Sequence, residues 1–180
     1  MKCFVWLLHK ITRFVTSFWI RRPKAAEVPT IIDGDEIVVR AVFYPYHLND
    51  KGTNLKRHAF RSPPDMDEIS VIRRHYVDDQ FCKDKAMSID LLGRCRGEGR
   101  KEFRGFAIIS AKAIRKYGSD VVDSRNVYLA HADIRHGVVT AKHEPLPAEL
   151  NDRLDQLKKA AKFVSDPFPQ RWKWASQQLI

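Results

Sequence analysis

His131 and Asp133 are the pair whose types and spacing best suit chemistry in this sequence. Residues two apart on a strand share a face, so an imidazole and a carboxylate would point the same way. They could exchange protons as acid and base near neutral pH, or donate two ligands to a metal. His136, His143 and Glu144 follow closely enough to join them. The pattern itself has little specificity: His-x-Asp arises often by chance, and the bland alternative is a half-exposed strand pair bonded to its neighbours. No His-Glu-x-x-His, paired metal-binding cysteines, Gly-x-Ser-x-Gly or kinase-type motif accompanies it. No metal site is therefore expected, and the cofactor is left open.

Arg40 and Arg73 complete the candidate catalytic set. Arg40 interrupts an otherwise apolar strand, and Ser70 and Arg73 lie on the next one. A cation within a strand is costly to bury unless it meets an acid or an anionic ligand. The combination resembles the strand-borne Arg and Ser of ADP-ribosyltransferases over a few residues only. The glutamate such enzymes use has no assignable position, and no family is assigned.

A second kind of chemistry is electrostatic. The formal net charge of +10 is concentrated in two blocks, residues 1–24 and residues 91–116, each carrying +6. In the second block the Gly-rich loop supplies Arg94, Arg96, Arg100, Lys101 and Arg104, and the following helix adds Lys112, Arg115 and Lys116. Glycines let a backbone approach phosphates while guanidinium groups contact their oxygens, so these eight residues are the expected phosphate-binding set, on one shared surface. Gly97-Glu98-Gly99 lacks the third glycine of a dinucleotide fingerprint and precedes a strand instead of following one. The alternative is a charged surface loop with no ligand. Lys56-Arg57-His58 forms a smaller basic turn that could also contact phosphate.

The elements that must position these groups can be read from periodicity and punctuation. Ile37 to Tyr44 and Phe103 to Ile109 read as strands, with Glu68 to Tyr76 and Val127 to Ile134 as two more and Val121-Val122 as a short one. Asp78 to Leu92 reads as a central helix stopped by Gly93. Ser110 is placed to cap a short helix over 111–117, which Gly118 closes. Leu150, Leu154, Leu157, Ala161 and Val164 make the apolar stripe of a long C-terminal helix, 148–164. The expected fold is α+β, a mixed or antiparallel sheet packed against this helix and the shorter central one.

An N-terminal amphipathic helix is expected over residues 1–22. Phe4, Leu7, Ile11, Phe14 and Phe18 share a face, Lys10 and Arg13 lie opposite, and Trp6 and Trp19 suit an interface. Charges near its middle disfavour a spanning helix and favour one lying on a membrane surface. A mitochondrial presequence and a helix packed on the domain are the competing readings. Residues 23–30, with Pro23 and Pro29, read as a linker, 31–166 as the single α+β domain, and 167–180 as an aromatic and basic tail. Cys3, Cys82 and Cys95 are odd in number and widely spaced, which points to a reducing, cytoplasmic setting, with peripheral membrane attachment through residues 1–22 as an option.

Three functions follow as expectations. The first is a binding or effector-type domain for an anionic partner, nucleic acid or anionic lipid. The second is a small hydrolase or transferase using His131 and Asp133, and the third a membrane-tethered protein-interaction scaffold. Enzyme or binding module stays open on sequence alone, and so does oligomeric state.

Overall fold

Alternating and continuous apolar runs in this chain condense into one six-stranded sheet. The computed structural model describes residues 28–95 and 101–180. Its strands are β1 (Ile37–Tyr44), β2 (Glu68–Arg73), β3 (Glu102–Ser110), β4 (Asp120–Asp123), β5 (His131–Arg135) and β6 (Lys162–Ser165). They lie in the order β4-β5-β2-β1-β3-β6, and every neighbouring pair is antiparallel. Among the described residues three α-helices accompany them: α1 (Asp79–Cys95), α2 (Ala111–Lys116) and α3 (Ala148–Ala160). The fold is α+β with an antiparallel sheet.

Both sheet faces are covered, which explains why β1 reads as almost continuously apolar. On one face Val38, Val42, Val71 and Ile134 pack against Leu150, Leu154 and Leu157 of α3 and Ile114 of α2. Each fully buried leucine contributes about 1.5–3 kcal/mol by leaving water. On the other face Val39, Ile72 and Phe106 meet Cys82, Ala86 and Met87 of α1. The C-terminal segment folds back over that same face. Trp174 packs on Phe106 with ring centroids 5.4 Å apart, Leu179 is buried, and the fully buried Lys83 Nζ donates to Asp166 at 2.6 Å.

This second face is open toward one end. Ser70 is exposed although β2 has a strand on either side, and Ala41 of β1 is half-buried. The registered pairs between β1 and β2 are Val38–Arg73 and Val39–Ile72, after which the two strands register no further pair.

Several boundaries differ from the sequence reading for physical reasons. β2 ends at Arg73, and Arg74–Tyr76 form a 3-10 turn instead of more strand. Gly93 is buried inside α1, which continues to Cys95, so packing outweighs the roughly 1 kcal/mol helical cost of glycine. The central helix, at 17 residues, is longer than the 13-residue C-terminal one. The latter ends at Ala160, and Val164 instead pairs with Phe106 in the edge strand β6. The strand expected from Val127 begins only at His131, because a turn returns the His131 N–H to the Tyr128 carbonyl.

One contact fixes the β3–β6 edge. Gly105 has φ +145° and pairs with Ser165, and a Cβ there would stand 2.1 Å from the Val164 carbonyl oxygen. Only glycine fits. The expected helix over 1–22, with Phe4, Trp6, Leu7, Lys10, Ile11, Arg13, Phe14, Phe18 and Trp19, lies outside the described residues, as do Arg96 and Arg100. Among the described residues no helix is long and apolar enough to cross a membrane.

Candidate acid-base site on β5

Strand alternation places His131 and Asp133 on the α1 face of β5, while Ala132 and Ile134 enter the opposite core. Both functional side chains are nearly buried, at 5% and 6% exposure. His131 Nε2 lies 3.9 Å from Asp133 Oδ1, beyond hydrogen-bond reach but well within electrostatic range. The other ring nitrogen, Nδ1, is 2.5 Å from the Ser124 hydroxyl. A neutral ring with its proton on Nε2 satisfies both neighbours, leaving Nδ1 to accept from Ser124; that tautomer is assigned from the partners.

Burial pushes the His131 pKa below the ordinary histidine range, while the Asp133 charge and the Ser124 backbone oppose the shift. The imidazole is therefore neutral at pH 7 and able to take a proton. Tyr128 stands edge-on to His131 with centroids 4.9 Å apart, and Lys85 Nζ of α1 sits 4.5 Å from the Tyr128 ring centroid. Among the described residues no hydrogen-bond donor meets the Asp133 carboxylate. Its cross-strand neighbour is the exposed Ser70, so the carboxylate borders the open end of the sheet face.

Arg40 approaches from β1. Its Nη1 donates to the Ser70 carbonyl at 2.8 Å and its Nε to the Ala59 carbonyl at 3.3 Å. Burial draws its pKa down to about 10, with Asp133 and Tyr128 pulling the other way. Arg40, His131 and Asp133 thus belong to one electrostatic neighbourhood.

Arg73 does not join it. Fully buried, it forms a two-pronged pair with Glu36, Nε to Oε2 at 2.8 Å and Nη2 to Oε1 at 2.7 Å. Its Nη1 donates to Asp123 at 3.1 Å and to the Pro29 carbonyl at 2.5 Å. Arg125 closes the network, with Nε 2.6 Å from Asp123 and Nη1 donating to the Val28 carbonyl. Every charge here has a partner, and the role of Arg73 is to tie β2 to residues 28–36 and to the end of β4. Arg73 thus stands apart from Arg40, His131 and Asp133. The network also clamps Ser124 from both sides, through Asp123 and Arg125, which holds the hydroxyl against His131.

His136 is placed elsewhere too. Its Nδ1 lies 2.8 Å from the Ser119 hydroxyl and its Nε2 donates to the Phe60 carbonyl at 2.7 Å, on the opposite side of the sheet. Among the described residues no group of three or more His, Cys, Asp or Glu is arranged to hold a metal ion.

Among the described residues, the basic side chains fall into two groups along β3. Arg94 and Lys101 precede β3 and Arg104 lies near its start, whereas Lys112, Arg115 and Lys116 follow its far end; six strand residues, about 20 Å, separate Arg104 from the second group. Local acids meet several of them: Arg94 pairs with Asp90, Arg104 with Glu102 and Arg115 with Asp120. Sequence reasoning missed Ser124, Tyr128 and Lys85. Ser124 follows a short strand by one residue, a weak signal for a hairpin that folds back onto β5. The chain matches no family model, no curated protein and no solved structure.

Proposed function

We propose that the protein is a small hydrolase or transferase with His131 and Asp133 as its acid-base pair. The observation that carries this reading is a nearly buried carboxylate with no donor among the described residues, beside a neutral imidazole whose other nitrogen holds the Ser124 hydroxyl at 2.5 Å. In this scheme His131 takes a proton from Ser124, or from a water in its place, as the oxygen attacks an acyl or phosphoryl centre. Asp133 stabilises the resulting imidazolium, and His131 returns the proton to the leaving group. A separation of 3.9 Å is compatible with a pair that tightens when substrate binds.

The test is turnover of p-nitrophenyl acetate and p-nitrophenyl phosphate by the full chain, with fluorophosphonate labelling of Ser124 as a second readout. His131→Gln and Asp133→Asn should each lower turnover by about 10²–10⁴-fold while retaining the wild-type circular dichroism spectrum. A wild-type chain that neither turns over these esters nor takes up the label sinks the reading.

A second reading is a binding domain for nucleic acid or anionic lipid. It is favoured by the net charge of +10 and by the exposure of Lys112, Arg115 and Lys116 on one short helix. Binding of this kind weakens steeply as salt rises. Titration against RNA, DNA and anionic vesicles at low ionic strength checks it, and three flat curves would dismiss it.

A further inference from the structure

A different cluster of cations gathers where β1 ends. Arg40, set in the gap where β1 and β2 stop pairing, holds the Ala59 carbonyl and so draws the 3-10 turn Arg57–Phe60 against the strand. The Lys56 N–H donates to the His47 carbonyl at 2.8 Å, tying the start of that turn to the chain leaving β1. Lys101 reaches the same rim, with Nζ 5.7 Å from the Tyr46 ring centroid.

Close ion pairs do little to balance this cluster, although the Asp133 charge acts on Arg40 from a distance. Arg40 bonds two neutral carbonyls and has no carboxylate within 4.0 Å among the described residues. The half-buried Arg61 likewise has no ion pair among the described residues. Lys56 meets Asp50 at 3.4 Å, but that carboxylate is fully exposed, and Arg57 stands 3.8 Å from Asp155. Exposed pairs of this kind are strongly screened by solvent. The neighbouring histidines register the resulting field. Burial first, and then the charges of Arg40, His58 and Lys101, hold His47 neutral with a pKa of about 3. Burial and then Arg61, Arg57 and Lys56 depress His58. Beside them the Ser62 hydroxyl is buried with no hydrogen-bond partner among the described residues.

We infer that Arg40, held against the turn Arg57–Phe60, and Arg61, which follows that turn, bind a terminal phosphate group of a small molecule. A half-buried guanidinium held only by carbonyls keeps hydrogen-bonding capacity and full charge for an anion. Its position in a gap between strands suits a terminal phosphoryl group, whereas a continuous polymer backbone would pass over it. The inference shares Arg40 with the acid-base neighbourhood but concerns binding and uses none of His131, Asp133 or Ser124, so it is tested apart from turnover.

Calorimetric titration of the full chain with inorganic pyrophosphate and with ADP, at physiological ionic strength, tests it. Saturable binding is expected, weakened about tenfold or more by Arg61→Gln and by Arg40→Gln, as the loss of a charge-assisted hydrogen bond implies. Lys112→Gln, beyond the far end of β3, should leave affinity within about twofold of wild type. If Arg40→Gln does not fold, Arg61→Gln decides. His131→Gln should bind pyrophosphate as wild type does, which separates this result from any failure of turnover. Absence of saturable binding overturns the inference, as does equal weakening by Lys112→Gln and Arg61→Gln. Tighter binding of a short single-stranded oligonucleotide that ignores Arg61→Gln overturns it as well.

Discussion

Arg40 and Arg73 stand on adjacent antiparallel strands, yet their surroundings are opposite. Arg73 is sealed from water and meets Glu36, Asp123 and a carbonyl, so its charge is spent entirely on holding the fold. Arg40 is half-buried and meets carbonyls alone, while the nearby Asp133 carboxylate is left without a hydrogen-bond donor among the described residues. Low-dielectric interiors tolerate charges that are fully compensated. A partly compensated cation and anion at the edge of an opening mark the region where a ligand or a proton can still act. The two corners therefore separate scaffold from candidate site.

The comparison breaks most visibly at Arg73. Arg73→Met should destabilise by about 3–5 kcal/mol in urea unfolding, because it strands Glu36 and Asp123 without their cation. A loss under about 1 kcal/mol would show that the network is not the clamp described here.

Acid should act next, through the Arg40 corner. His47 has a folded pKa of about 3 against an ordinary value near 6.5, so the unfolded chain binds the proton first as pH falls. The stability His47 contributes is complete above about pH 6.5 and is lost progressively toward pH 3, by as much as about 2 kcal/mol at pH 5. Lowered pKa values at His131 and His136 add in the same direction. Unfolding free energies at pH 7 and pH 5, in wild type and His47→Asn, check this; the variant should show the smaller difference.

Arg40→Met sharpens the contrast. It removes two hydrogen bonds to carbonyls but keeps an apolar stem, so the cost should be near 1 kcal/mol, several-fold below that of Arg73→Met. Asp133→Asn should be the mildest, within about 0.5 kcal/mol of wild type, since no hydrogen bond among the described residues is broken. It should also lower the His131 pKa further, because the Asp133 charge raises it, and imidazole proton shifts followed against pH would read that change.

How far these corners could be foreseen depends on the reach of the interactions that make them. Local chemistry was readable: Ser110 accepts from the Ala113 N–H at 3.2 Å as the α2 cap, and Gly118 takes a positive φ where that helix stops. The shared face of His131 and Asp133 follows from strand periodicity alone. Arg40 and Arg73 looked alike because both are strand-borne arginines. What divides them are acids 37 and 50 residues from Arg73, and no local pattern carries that information. Val164 failed for the same reason: its spacing fits the α3 stripe, but a distant strand, β3, claims it.

Gly105 carries a consequence for the shape of the sheet. Because no side chain fits between β3 and the Val164 carbonyl, a larger residue here would press β6 away from the sheet. A Gly105→Ala chain would keep the strands from β4 through β3 but lose purchase on β6, and with it the anchor that delivers Asp166 to Lys83 and Trp174 to Phe106. One missing methyl group decides whether the α1 face is roofed by its own C-terminal segment or left bare.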